Sequence, residues 1–288
     1  IVQTLLPYLK DQTIYSHFIL TRFNVKMWDQ DKYGNNVLTG DWQAHRFNLF
    51  NNYCLPSIVN QVNKNFKWLV YFDKDTDQFY LNKIHKLQSN YSFFYPIFVQ
   101  DSAHMFSTFK NDIENLMPQS AKYIITTLLD NDDCLQKNAI GAIQAEFNKQ
   151  KFIFINFFNG YAFDLTKNVL FQKYQHSNGY GTSLIEKYLP GELRTVWCGE
   201  HGSLMGMGEM INITDDRYWI EIIHQRNVVN DLGIGQKRFK RYFPVYKTKI
   251  EKLFGISPLS QSLMYYIILL LYYYLYKINK RIKLSLIK

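Results

Sequence analysis

The chain has 288 residues, of which 47% are hydrophobic and 20% charged, and its formal net charge is +9. This composition excludes an intrinsically disordered chain, and the length is enough to bury one large core or two small ones. The positive charge favours an anionic partner, such as a nucleotide diphosphate or an acidic lipid. Nucleic acid is not expected, because much of the positive excess follows Tyr276 and no Walker loop, zinc-finger spacing or RNP-type segment occurs.

Hydrophobic periodicity predicts that strands and helices alternate over the first part of the chain. The predicted strands are Tyr15–Leu20, Trp68–Phe72, Tyr95–Val99 and Tyr123–Leu129. The predicted helices between them are Trp42–Asn63, broken or restarted near Pro56, then Thr76–Gln88 and Ser107–Met117. This alternation indicates an α/β fold with a mostly parallel, Rossmann-type sheet flanked by helices.

Three carboxylates follow the fourth predicted strand, in the segment Leu129-Asp130-Asn131-Asp132-Asp133. If the chain is extended there, Asp130 and Asp132 point the same way and we expect both to be accessible to solvent. Two carboxylates held together repel each other and gain from a divalent cation, Mg²⁺ or Mn²⁺, which could in turn hold a diphosphate. A simple turn is the alternative, in which Asp133 caps a helix over Cys134–Phe147.

Polar side chains also follow the first two predicted strands. Arg22 follows the first, and Asp73 follows the second. Because ligands of parallel α/β sheets bind outside the carboxyl ends of the strands, we expect Arg22, Asp73, Asp130 and Asp132 to converge on one edge. A surface ion pair for Arg22 and a turn for Asp73 are the simpler interpretations.

The later part of the chain is less regular. Predicted strands there are Phe152–Phe158, Arg194–Cys198 and Trp219–His224. The second leads into Gly199-Glu200-His201-Gly202, where glycines allow the backbone to approach a ligand closely. Candidates for orienting or deprotonating an acceptor hydroxyl are Glu200, His201, Glu209 and His224. A buried histidine bonded to backbone is an equally good interpretation of His224.

The three cysteines are scattered and odd in number, which is typical of reduced cytosolic thiols, and the sequence has no clear signal peptide. Near the end, Leu263–Tyr276 is an apolar and tyrosine-rich run of 14 residues followed by basic residues. It is shorter than the ~20 residues needed to span a bilayer. We therefore expect a cytoplasmic protein that attaches peripherally to an anionic membrane surface, with a packed terminal helix as the alternative.

Several ordered segments resemble the putative rhamnosyltransferase family of GT-A glycosyltransferases, from about Ser16 to Gly235. The matching pieces are Phe18–Asn24, Tyr53–Ile58, Trp68–Asp73, Ile125–Asp133, Ser183–Glu186 and Trp219–His224, followed by Asn227 and Asn230. The resemblance implies a GT-A fold and sugar transfer from a nucleotide donor. It implies that Asp130 and Asp132 form the metal-diphosphate (DXD) motif and that Asp73 lies near the nucleoside. Two departures are Leu128, where we expect an arginine, and Asn178–Thr182, which lacks a Pro-Phe pattern.

The hypothesis is that the protein is a metal-dependent glycosyltransferase. It would move a sugar, with rhamnose as the leading candidate, from a nucleotide sugar to a glycan or lipid-linked acceptor. Asp130, Asp132 and His224 would hold Mg²⁺ or Mn²⁺, and Arg22, Asp73 and Asn227 would help bind the donor. Residues 1–250 would form the catalytic domain, with a donor half over 14–150 and an acceptor half over 151–250. Residues 251–288 would form a helical extension. The alternatives are a sugar nucleotidyltransferase and a non-catalytic, membrane-associated carbohydrate-binding protein.

Overall fold

The computed structural model describes residues 14–27, 40–174, 180–199, 203–224, 242–247, 250–256 and 259–285. The strands in this part of the chain are β1 Tyr15–Arg22, β2 Lys67–Asp73, β3 Phe94–Val99, β4 Tyr123–Leu128, β5 Cys134–Leu135, β6 Phe152–Phe157, β7 Gly160–Asp164, β8 Val169–Lys173, β9 Ser183–Lys187, β10 Met210–Ile213, β11 Trp219–Ile223 and β12 Tyr242–Val245. The α-helices are α1 Gly40–Leu49, α2 Leu55–Val59, α3 Gln78–Asn90, α4 Ser102–Leu116, α5 Ala139–Ala145, α6 Ile250–Phe254 and α7 Leu263–Ser285. A π-helical turn, Phe50–Cys54, joins α1 to α2, and Leu204–Gly206 is a 3₁₀ turn.

Seven strands form the main sheet, in the order β10-β6-β9-β4-β1-β2-β3. Neighbouring strands are parallel except at β9, which runs antiparallel to both β4 and β6. The predicted α/β class with a mostly parallel sheet flanked by helices is therefore confirmed. Because β1, β2 and β4 are adjacent and parallel, their carboxyl ends lie at one edge, which we call the carboxyl edge.

Both faces of the main sheet are covered, which explains why its central strands are nearly continuous apolar runs. On β1, Ile19 packs into one core, while Phe18 and Leu20 pack into the core on the other face. On β2, Trp68 and Leu69 divide in the same way. The alternation places successive side chains in different cores, as strand geometry requires.

A second sheet has five strands, in the order β12-β8-β7-β11-β5. Strand β11 is parallel to β7 and antiparallel to the short β5, which directly follows the carboxylate segment. This pairing brings the end of β11 to the carboxyl edge of the main sheet. The predicted strand Trp219–His224 thus exists as β11. Its periodicity predicts a strand but does not show that the strand carries His224 to the carboxyl edge.

Two local predictions are wrong. The helix predicted over Cys134–Phe147 is β5 followed by the shorter α5, and Asp133 caps neither. The strand predicted over Arg194–Cys198 is irregular, because the Glu186 carboxylate accepts hydrogen bonds from the backbone N–H groups of Arg194 and Thr195. Those two donors are therefore satisfied by a side chain instead of a neighbouring strand.

Behind the carboxyl edge, a chain of buried polar groups links β1, β4 and β9. Gln144 Nε2 lies 3.1 Å from His17 Nδ1, and His17 Nε2 lies 2.7 Å from Thr127 Oγ1, which contacts Ser183 Oγ at 2.7 Å. With the Gln144 amide donating to Nδ1, the histidine is neutral and donates through Nε2 to Thr127. Burial lowers the pKa of His17 to about 3.

Because His17 is buried and neutral, we expect the stability of the fold to fall at acidic pH. Below about pH 6.5 the unfolded chain binds a proton at His17 that the folded chain does not, so stability falls as the pH falls. At pH 5 the free energy of unfolding should be lower by about 2 kcal/mol from this group alone. Urea unfolding at pH 7.5 and pH 5 measures the difference. In His17→Gln, the slope of the unfolding free energy against pH should be smaller by the equivalent of about one bound proton. Equal slopes in the variant and the original protein would contradict this account.

Candidate functional site

The three carboxylates lie in a turn and not in an extended strand. β4 ends at Leu128, and the N–H of Asp133 approaches the carbonyl of Asp130 at 3.3 Å. Asp130 is half-buried, but Asp132 is only 6% exposed and Asp133 only 2%. The expectation that Asp130 and Asp132 are both accessible is wrong for Asp132, because other side chains cover its carboxylate.

Asp132 is the centre of a buried cluster of charged and polar groups. Its Oδ2 atom accepts a hydrogen bond from Arg46 Nη1 at 2.7 Å and lies 2.9 Å from His224 Nε2. The other ring nitrogen of His224 lies 3.3 Å from His45 Nε2. Burial alone would raise the pKa of Asp132, but the Arg46 guanidinium and the His224 hydrogen bond outweigh it and hold that pKa below its usual value.

Asn131 ties the carboxylate turn to the end of β1. Its amide donates to the backbone carbonyls of Arg22 at 2.9 Å and Phe23 at 2.8 Å. Its Oδ1 atom accepts from Arg46 Nη1 at 3.2 Å. The amide between the two aspartates therefore fixes the turn, while the Asp132 carboxylate beside it pairs with Arg46 and His224.

Arg46 and His45 are the site residues that sequence reasoning missed. They come from α1, and their partners in the cluster lie 86 and 179 residues further along the chain. No local pattern distinguishes Arg46 from an ordinary basic residue in the last turn of a helix. Leu128, where the family resemblance led us to expect an arginine, is 4% exposed and belongs to the core.

Arg22 and Asp73 lie at the carboxyl edge, as predicted from the strand ends. The Arg22 guanidinium contacts Met27 Sδ at 3.3 Å and lies 6.0 Å from the centre of the Trp197 ring. Asp73 is buried, and its Oδ1 atom accepts from the backbone N–H of Asp75 at 2.7 Å. The turn that served as the simpler interpretation of Asp73 is therefore present. A donor-binding role for either residue stays a prediction.

Asp133 points toward the second sheet. Its Oδ1 atom accepts from the backbone N–H of Ile222 at 2.9 Å. Burial and the negative charges of Asp132 and Asp130 raise the pKa of Asp133 well above its usual range. This bond holds the end of β11 against the carboxylate turn, and His224 follows two residues later.

A second buried cluster surrounds Glu221 on β11. Glu221 pairs with Lys173 Nζ at 2.6 Å, and both side chains are less than a tenth exposed. The Tyr180 hydroxyl donates to the other carboxylate oxygen, and burial together with Glu221 raises the pKa of Tyr180 well above its ordinary value. A single carboxylate inside the apolar run Trp219–Ile223 was a usable sequence signal for a buried, paired charge.

The remaining candidates from the sequence do not all reach this site. Glu200, His201 and Asn227 lie outside the described residues. Glu209 is exposed and precedes β10, which runs in the same direction as β4. Glu209 therefore lies at the opposite edge of the main sheet from the carboxylates. The structure argues against Glu209 as a base acting at this site.

Asp132 and His224 carry a carboxylate and an imidazole, which are both groups that can bind divalent cations. In this structure Asp132 Oδ2 and His224 Nε2 are 2.9 Å apart and hydrogen-bonded to each other, so their chemistry fits a cation but their geometry does not indicate one. Within the described residues no group of three His, Cys, Asp or Glu side chains could hold a metal ion. Mg²⁺ in proteins commonly takes one or two carboxylates and completes its shell with substrate phosphates and water.

The sequence matches the model of a known family over most of its length. The family described as Putative rhamnosyl transferase matches residues 16–235. The chain belongs to the Putative rhamnosyl transferase family, as the resemblance of the ordered segments predicted. No curated protein sequence matches the chain.

Solved structures of S. aureus TarS are similar to this chain. TarS 1–349 has 12% sequence identity and a TM-score of 0.40, over 72% of this chain and 60% of that one. TarS 1–349 in complex with UDP-GlcNAc has 11% identity and a TM-score of 0.39, over 75% of this chain and 60% of that one. The chain thus spans about 60% of the length of these TarS structures.

Proposed function

We propose that this protein is a glycosyltransferase that moves a sugar, with rhamnose as the first candidate, from a nucleotide diphosphate donor to a glycan or lipid-linked acceptor. The observation that carries the proposal is the buried Asp132 carboxylate, shared by Arg46 and His224 at the carboxyl edge. Ligands of parallel α/β sheets bind at this edge. A solved TarS structure in complex with UDP-GlcNAc is in keeping with a nucleotide-sugar donor.

Asp132 and His224 would hold Mg²⁺ or Mn²⁺, and the half-buried Asp130 would face the donor beside them. The cation would act as a Lewis acid on the leaving diphosphate. Arg46 is already paired with Asp132 and could also offer guanidinium hydrogen bonds to diphosphate oxygens. A guanidinium in a buried site stabilises developing negative charge more strongly than one in water, because the surroundings do not screen it.

Arg22 and Asp73 would contact the nucleotide, because both lie at the same edge on neighbouring strands. Asn227 is proposed to assist the donor from the segment after β11. The acceptor hydroxyl needs a group that orients it or takes its proton. Glu200, His201 and His224 remain the candidates for this role, with His224 also proposed as a metal ligand.

The test of this proposal is a panel of nucleotide sugars assayed for nucleotide release with and without Mn²⁺. We expect one donor, with a deoxyhexose such as rhamnose tested first, to be consumed only when Mg²⁺ or Mn²⁺ is present. Consumption that is unaffected by a chelator would contradict the metal assignment. Formation of a nucleotide sugar from a sugar phosphate would instead support a nucleotidyltransferase. No turnover, with carbohydrate binding intact, would support a non-catalytic binding protein.

A further inference from the structure

Helix α7 has two apolar faces, one packed against the second sheet and one exposed in the part of the chain that the structure describes. The helix runs over 23 residues, so it is about 35 Å long at 1.5 Å per residue. The packed face carries Tyr265, Leu269, Tyr273 and Tyr276. It lies on the second sheet, against Ala162, Val169, Phe171, Ile223 and Tyr242. The sequence offered a packed terminal helix as the alternative to membrane attachment, and for this face of α7 that alternative is correct.

The opposite face of α7 is exposed and almost entirely apolar. Ten large hydrophobic side chains on it are between 46% and 72% exposed. They are Leu263, Met264, Ile267, Ile268, Leu271, Tyr272, Tyr274, Leu275, Ile278 and Ile282. Spacings of three, four and seven residues recur among them, which places them along one side of a helix. A continuous apolar patch of this size is uncommon on a surface that faces only water.

All of the charged residues in α7 are basic. The helix contains no acidic residue, and Lys277, Lys280 and Arg281 follow its apolar part. Lys277 Nζ lies 5.2 Å from the centre of the Tyr273 ring, so its stem follows the helix surface. An apolar face bordered by cations only is complementary to anionic lipid headgroups above acyl chains.

We propose that α7 is an interfacial helix that lies flat on an anionic membrane. Its exposed apolar face enters the acyl boundary, and its basic end contacts the headgroups. Within the described part of the chain, no helix combines the length and apolarity that crossing a bilayer demands. A second copy of this chain aligned in the same direction would bring the two basic ends together, which like charges disfavour, whereas anionic lipid complements them.

The placement of α7 has a consequence for the acceptor. Ile223 of β11 belongs to the hydrophobic cluster against which the helix packs, and the next residue is His224 in the candidate site. The membrane-bound helix and the site are thus joined through a single strand. This geometry favours an acceptor held at the membrane surface, such as a lipid-linked sugar, and that conclusion rests on the proposed function.

The membrane proposal is tested with the full chain and lipid vesicles in a flotation assay. Vesicles of phosphatidylcholine with one-quarter phosphatidylglycerol should bind the protein at least tenfold more tightly than vesicles of phosphatidylcholine alone. The double variant Ile267→Asp/Leu271→Asp should lose binding by more than tenfold. Lys280→Gln/Arg281→Gln should bind the anionic vesicles several-fold more weakly and lose most of its salt sensitivity.

Val62→Asp is the matched control, because Val62 is 70% exposed and lies outside α7. It should bind vesicles like the original protein. Circular dichroism and the unfolding temperature must be unchanged in the α7 variants, and a milder pair, Ile267→Ser/Leu271→Ser, replaces any variant that fails this check. Unchanged vesicle binding in folded variants would overturn the proposal. So would failure of the original protein to bind vesicles, or a dimer that the same variants dissociate. Because the assay needs no donor, its outcome is independent of the proposed catalytic function.

Discussion

Asp132→Ala should abolish sugar transfer and also destabilise the fold. If Asp132 holds the proposed cation, its loss removes several kcal/mol of transition-state stabilisation, so we expect transfer to fall by about 10³-fold or more. Removal of the carboxylate also leaves Arg46 buried without its acidic partner, and breaking a buried ion pair costs about 3–5 kcal/mol. Nucleotide release and chemical unfolding measure the two effects separately.

A double variant separates chemistry from stability. Asp132→Leu/Arg46→Met removes both charges and should regain much of the stability that Asp132→Ala loses, since no unpaired charge remains buried. It should stay inactive. Glu192→Ala removes an exposed carboxylate elsewhere and should change neither property by much. An active Asp132→Ala protein, or a double variant that transfers sugar, would contradict the role given to Asp132.

Gly160→Ala should destabilise the protein strongly. A Cβ atom at this position would lie 2.1, 2.2 and 2.5 Å from three carbons of the Trp219 ring. That ring is fully buried, donates from Nε1 to the Phe157 carbonyl at 2.9 Å and packs on Tyr180 at 4.6 Å. Because the ring is held on several sides, we expect a loss of about 3 kcal/mol in the free energy of unfolding.

Gly141→Ala is the matched control for this substitution. Gly141 lies in α5, and a Cβ there meets nothing within 4 Å. Alanine at a helical position should be neutral or stabilising by up to about 1 kcal/mol. Urea unfolding curves of the two variants should therefore move in opposite directions or by very different amounts. Equal midpoints for Gly160→Ala and the original protein would contradict the close approach of Trp219.

The elements of the main sheet were predictable because buried parallel strands are recognisable as short apolar runs. β1, β2, β3 and β4 were each placed to within two residues, and their order in the chain indicated a common carboxyl edge. The ends of helices were less accurate. Asp77 and Asp101 cap the N-termini of α3 and α4. Several polar residues near each of them could have served as the cap equally well, so the sequence does not fix where the helix begins.

The contacts that assemble the site were not predictable, because they join distant parts of the chain. Asp133 has the sequence context of a helix cap, yet its partner is the backbone N–H of Ile222, 89 residues away. Local patterns cannot distinguish these two uses of a carboxylate. Arg46 is a similar case, since its acidic partner Asp132 lies 86 residues further along the chain. Sequence reasoning therefore located the edge of the sheet and missed the Arg46 guanidinium that covers the carboxylate there.

Strand β11 fixes a strict spacing in the chain. Its Trp219 fits against Gly160, the Ile222 N–H binds Asp133, and His224 reaches Asp132. Inserting or deleting one residue within this stretch would turn the following side chains to the opposite face of the sheet. The number of residues from Trp219 to His224 should therefore be constant among descendants of this sequence. Length changes should accumulate instead in connections such as 165–168, where the chain turns between β7 and β8.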